Sequence, residues 1–150
     1  MIGEPGSGGV HVDPDEVLAF WRAAGPDKWF NKDAVFDCEI RVRFPALWRA
    51  ASCGKLAGWE ETPEGTLALV IVLDQFSRNM FRGVARSYEA DPLARAVALR
   101  AIKRGFDLWL PHPERQFLYL PFMHSEHLPD QERCLAFARS YGDDEFSKYA

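Results

Sequence analysis

The sequence predicts an all-α fold, an array of antiparallel helix hairpins, and three observations carry that prediction. Apolar residues recur at helical spacing along the chain while strand-like alternation is nowhere sustained. Helix-start signals of one type repeat: Asp13-Pro14-Asp15-Glu16, Thr62-Pro63-Glu64, Asp91-Pro92 and, without a capping side chain, Leu128-Pro129-Asp130. In each of the first three a capping group precedes a proline that needs no N–H partner. The third observation is LALVIVL at 67–73, seven apolar residues in a row. At about 100° per residue they cover every side of a helix, so this helix is expected to be buried all round.

The elements follow in order. Residues 1–12, with Gly3, Gly6, Gly8 and Gly9 around Pro5 and Ser7, have no periodicity and are expected to form a flexible tail ahead of one helical domain at 13–150. Val17, Leu18, Phe20 and Trp21 mark a first helix. Phe36, Ile40, Phe44, Leu47 and Trp48 mark a second, with a kink expected at Pro45. The 67–80 helix is expected to be central. Leu93, Val97, Ala101 and Ile102 form the apolar side of another helix that Gly105 can close, and Phe117, Leu118, Leu120 and Phe122 form a short one bent at Pro121. Cys134, Leu135 and Phe137 give a last apolar stripe. Short loops between helices imply antiparallel neighbours. No self-similarity at about 34 residues is evident, so periodicity alone does not define a repeat protein.

Bulk composition narrows the function. The chain of 150 residues is 47% hydrophobic, enough for one ordinary core. With 18 basic and 22 acidic residues its net charge is −4, which leaves no basic footprint for a nucleic-acid partner. No apolar run approaches the ~20 residues of a membrane span, and no basic-then-apolar leader opens the sequence, so a soluble cytoplasmic protein is expected. Cys38, Cys53 and Cys134 are odd in number and widely separated, and they read as reduced, buried thiols. Trp21, Trp29, Trp48, Trp59 and Trp109 read as core fillers, with Trp29-Phe30 and Trp59 placed to roof a pocket. Arg41, Arg43, Arg49, Arg95, Arg100, Lys103 and Arg104 read as solvated helix faces.

Two polar constellations stand out. Directly after the apolar run come Asp74, Gln75, Arg78, Asn79 and Arg82. With Asp74 at 0° on an ideal helix, Arg78, Arg82, Gln75 and Asn79 fall at about 40°, 80°, 100° and 140°, one polar face opposite Phe76 and Met80. Because the preceding turns are buried all round, this face is expected to line a cleft. The Asp74–Arg78 pair stands at i, i+4 with the acid first. Its pattern suits a packed structural network and a ligand site equally well. The second constellation is His124-Ser125-Glu126-His127 with Gln131 following. His124 and His127 lie three apart, and His112 is upstream, but with no further ligand specified a hydrogen-bonded structural histidine outweighs a metal site, and no metal or cofactor is expected. Neither a GxSxG elbow nor a phosphate-binding glycine loop is present.

The leading expectation is a domain that binds a small anionic molecule or peptide. Arg78 and Arg82 would hold the anion by forked hydrogen bonds, Gln75 and Asn79 would orient it, and Asp74, His124, Ser125, Glu126 and Gln131 would complete the cleft. One alternative is a hydrolase or lyase acting on a small acid. His124, oriented by Glu126 or Asp74, would then be the general base, with Arg78 stabilising negative charge. A second alternative is a helical protein–protein adaptor, which fold analogy suggests and does not establish.

Taken together, the segments at 17–21, Trp29-Phe30, Phe36-Asp37, Trp59, Thr62-Pro63-Glu64-Gly65, Leu73-Asp74-Gln75-Phe76 with Arg78-Asn79, Asp91, and 121–126 with Gln131 resemble a bacterial family, domain of unknown function 924. The DQFxRN and HSExxxxQ patterns are distinctive in combination. The resemblance implies a helical fold similar to tetratricopeptide-repeat arrays, and no established activity. It also implies that the family pattern continues past Tyr149-Ala150 into a further helix and an Arg- and His-containing segment, which this chain lacks. At His127 the family commonly carries an acidic residue, which weakens a two-histidine metal site.

Overall fold

A computed structural model describes residues 12–125, 129–132 and 136. The expectations made for 1–11, for Glu126 and His127, for Cys134, Leu135 and Phe137, and for the chain end lie outside these residues. The fold is all-α, with no strand among the described residues. Helix α1 (Pro14–Phe30) starts where Asp13 accepts the Glu16 N–H at 2.9 Å and bends at Gly25, whose φ of 76° precedes Pro26. It is followed by α2 (Ala34–Arg43), capped by Asp33 on the Phe36 N–H, and by α3 (Pro45–Ser52). Pro45 therefore does more than kink a helix: it occupies the first turn of a new one, where its missing N–H costs nothing. Gly54 ends that helix with a positive φ.

After a 3₁₀ turn, Ala57–Glu61, Thr62 accepts the Gly65 N–H at 2.9 Å and opens α4 (Pro63–Val70). The rod does not stop at Val70. It widens into a π turn over Ile71–Phe76 and resumes as α5 (Ser77–Met80). Every side chain from 67 to 73 is at most 3% exposed, as the unbroken apolar run predicts. This rod is the centre of the molecule: α4 lies against α1, α6 (Asp91–Lys103) and α7 (His112–Met123), the π turn against α3 and α6, and α5 against α2. Gly65 marks a close approach, because a Cβ there would run into the carbonyl oxygen of Trp59. Gly65→Ala is expected to cost about 1–3 kcal/mol by overpacking, read as a lower urea midpoint at unchanged slope.

The core is strongly aromatic around the π turn. Phe76 packs against Phe44 at 5.0 Å and Trp21 at 5.9 Å between ring centroids, and Trp21 meets Phe117 edge-on at 5.5 Å. On α6 the buried side is Ala94, Val97, Ala98 and Ala101, while Leu93 and Ile102 are only partly covered. Small residues on that side let α6 approach the rod closely. Gly105, in the left-handed region, closes the helix as its position suggested. Two readings need correction. Cys38 and Cys53 are exposed, because they fall on the outer sides of α2 and at the end of α3. Trp109 is 76% exposed on the short 3₁₀ turn Phe106–Trp109, whose one turn cannot bury all its apolar residues.

Candidate functional site

The site grows from the π turn. A π turn holds more residues per turn than an α-helix and is frequent at functional sites. Here it turns two successive polar residues inward: Asp74 is fully buried and Gln75 is 9% exposed. An isolated carboxylate at such depth would be costly, and three donors answer it. His124 Nδ1 lies 2.9 Å from Asp74 Oδ1, Arg78 Nη1 reaches the same oxygen at 3.2 Å, and Gln75 Nε2 donates to Oδ2 at 2.8 Å. Burial opposes ionisation of Asp74. The charge of the imidazolium form of His124 and its hydrogen bond, followed by the Arg78 charge and the Gln75 amide, overcome this and hold the carboxyl below the usual carboxylate range. His124 is delivered by the last turn of α7, its N–H bonded to the Leu120 carbonyl at 3.0 Å.

Each arginine is anchored by an acid from another helix. Arg78 makes a two-pronged contact with Asp91, Nη1 to Oδ1 and Nη2 to Oδ2 both at 3.0 Å, while Nη1 also donates to the Asp74 carbonyl at 2.9 Å. Arg82 grips Asp37 through Nε at 2.7 Å and Nη2 at 3.0 Å, and Asn79 Nδ2 donates to the same carboxylate at 2.8 Å. Asp37 also lies below the usual range: burial raises it, but the Arg82 and Asn79 hydrogen bonds and the charges of Arg82 and Arg41 prevail. Asp91 does not cap α6 as its place before Pro92 suggested. The cap position is Ala90, and the Asp91 carboxylate turns to Arg78 instead.

Asp37 and Asp91 are thus partners of the site arginines that spacing did not reveal. Their only sequence signal was membership of the segments Phe36-Asp37 and Asp91 that carry the family likeness. They also modify the expected anion clamp. The forked edges of both guanidiniums are already held by carboxylates, leaving their outer N–H groups for anything else.

These groups border a cleft of about 280 Å³. Its lining combines polar side chains, Gln75, Arg78, Asn79, Arg82 and His124, with apolar ones, Trp29, Phe30, Leu120 and Met123. Among the described residues no carboxylate lines it, since Asp37, Asp74 and Asp91 stand behind the groups they orient. Trp29 and Phe30 border the cleft as expected, and Trp59 does not. Ser125 and Gln131 are not among the lining residues. Ser125 Oγ donates to Asp130 at 2.8 Å and Gln131 Nε2 donates to the Ser125 carbonyl at 2.8 Å, so both are engaged in bonds between Ser125 and the 130–131 pair. Glu126 lies outside the described residues. His112 opens α7 and His124 follows its end, about 18 Å apart at 1.5 Å per residue. Among the described residues no cluster of three or more His, Cys, Asp or Glu side chains is arranged to hold a metal ion, and no helix is long and apolar enough to cross a membrane.

The fold and site define an all-α protein whose central helix carries a cluster of acid–guanidinium pairs beside a histidine. The model of the family described as bacterial protein of unknown function (DUF924) matches residues 17–149, and the chain belongs to that family. It is also similar to a solved structure, a protein of unknown function from Agrobacterium tumefaciens, with 44% identity and a TM-score of 0.85 over 90% of this chain and 77% of that one. No curated protein matches the chain.

Proposed function

We propose that the cleft binds a small molecule, or the end of a peptide, that carries an anionic group on a flat apolar body. The observation that supports this reading is the composition of the lining: two guanidiniums, two amides and an imidazole together with aromatic and aliphatic side chains, and among the described residues no acid. The volume lies near the lower end of the ~300–1,000 Å³ usual for small-molecule pockets. That size suits a metabolite better than the broad groove an adaptor needs. Arg82, with 37% of its side chain exposed, is the guanidinium best placed to meet the anion, through the N–H groups that Asp37 leaves unused.

The test is a thermal-shift comparison of benzoate and phenyl phosphate with neutral benzamide. The two anions are expected to raise Tm and benzamide to leave it unchanged, since a ligand present at 100 times its Kd adds about 2.7 kcal/mol. Arg82→Met leaves the buried Asp37 carboxylate to Asn79 and so lowers the starting Tm, but it should remain folded at about 25 °C and lose the shift. Equal shifts for the acids and the amide, or an unaltered response in Arg82→Met, would refute the reading.

A further inference from the structure

The cleft contains one feature that simple binding does not require, the coupling of an accessible imidazole to a buried carboxylate. We infer that His124 and Asp74 form a general-base pair that activates water against the carbonyl of a small carboxylic ester bearing an anionic group. This rests on the cleft being a ligand site, and five observations support it.

An ionised carboxylate only accepts hydrogen bonds, so the 2.9 Å contact to Asp74 places a proton on Nδ1 of His124. In the neutral ring that arrangement leaves the lone pair on Nε2, the nitrogen able to take a proton from a reactant. Asp74 is fully buried and held by Gln75 and Arg78 as well, so the ring it aligns is fixed in direction. His124 itself lines the cleft with 19% of its side chain exposed.

Arg78 stands on the same Asp74 oxygen as His124, which puts a guanidinium beside the imidazole. Its bonds to Asp74 and Asp91 use Nη1 and one side of Nη2, and the described residues supply no acceptor for its Nε–H. Such a donor can stabilise charge that appears on a carbonyl oxygen. Finally, no Ser, Thr or Cys lines the cleft among the described residues, which leaves water as the nucleophile.

The step balances without a co-reactant. Nε2 of His124 removes a proton from water as the water oxygen bonds to the acyl carbon, and the carbonyl π electrons move onto oxygen beside Arg78. Collapse of that tetrahedral oxyanion breaks the bond to the alcohol oxygen, which takes the proton back from Nε2. One ester and one water give one acid and one alcohol. His124 is the catalytic residue, and Asp74 is a positioning residue that acts through it.

The test uses 4-acetoxybenzoate, whose carboxylate cannot reach its own ester, with phenyl acetate as the neutral control and 4-hydroxybenzoate as the product for binding. The protein is expected to release 4-hydroxybenzoate and to prefer the anionic ester. His124→Gln should lower the rate at least about 100-fold while 4-hydroxybenzoate still raises its Tm. His124→Gly should regain turnover when imidazole is added, a result that a structural role for His124 would not produce. Asp74→Asn should lower kcat with KM held. Should that variant fail to fold, imidazole rescue of His124→Gly still decides the matter. Turnover no faster than in His124→Gln, with the 4-hydroxybenzoate shift intact, overturns hydrolysis and leaves the binding reading standing. Loss of both the turnover and the shift in the unaltered protein overturns both.

Discussion

Arg78→Ala is expected to lower the free energy of unfolding by about 3–5 kcal/mol, the usual cost of stranding a buried charge. The guanidinium is only 20% exposed and serves four acceptor oxygens: one of the Asp74 carboxylate, the Asp74 carbonyl and both of Asp91. Removing it leaves Asp74 with His124 and Gln75 alone and leaves Asp91, on α6, facing the vacated space. Arg78→Lys should recover little, since an ammonium cannot span the two Asp91 oxygens or keep the planar fork. Urea denaturation measures this directly. A loss below about 1 kcal/mol, the range of exposed ion pairs, would show that the cluster does not hold the helices together. Arg82→Met should cost less, because Arg82 is more exposed than Arg78 and engages one carboxylate where Arg78 engages two.

The second large effect is loss of stability in acid. Asp74 and Asp37 both have folded-state values below the usual carboxylate range. A depressed acid binds its proton more weakly when folded than when unfolded, so it adds stability above the unfolded value, about 3.9 for Asp. That contribution is lost as pH falls below 3.9 and through the folded value. The protein should therefore keep its full contribution from these acids near neutrality and melt at progressively lower temperature below about pH 4. Asp74→Asn and Asp37→Asn should each be less stable at neutral pH and each flatten the acid slope. A melting temperature as steep in pH for the double variant as for the parent would assign acid sensitivity to other groups.

Much of this fold is legible from local chemistry. Asp13 and Thr62 cap the helices that their positions before proline announce, Gly105 closes α6, and seven apolar residues in succession are buried on every side. The meeting of the two polar constellations was likewise expected, and Asp74 and His124 are in contact. What local pattern does not encode is partnership at a distance. Asp37 lies 45 residues from Arg82 and Asp91 lies 13 from Arg78, so no helical spacing links them. Asp91 was ambiguous for a further reason, since a carboxylate before proline suits a cap as well as it suits a guanidinium. The exposure of Cys38 and Cys53 was missed because number and separation do not show that Cys38 lies on the outer side of α2 and Cys53 just past the end of α3.

The π turn at Ile71–Phe76 has one more consequence. It fits roughly one extra residue into the rod, so everything from Ser77 onward is rotated by about 100° against the register that α4 would otherwise impose. Arg78, Asn79 and Arg82 owe their direction to that offset as much as to their identities. A relative with the same polar residues and a shortened rod would carry every ingredient of the cleft, aimed at a different neighbour.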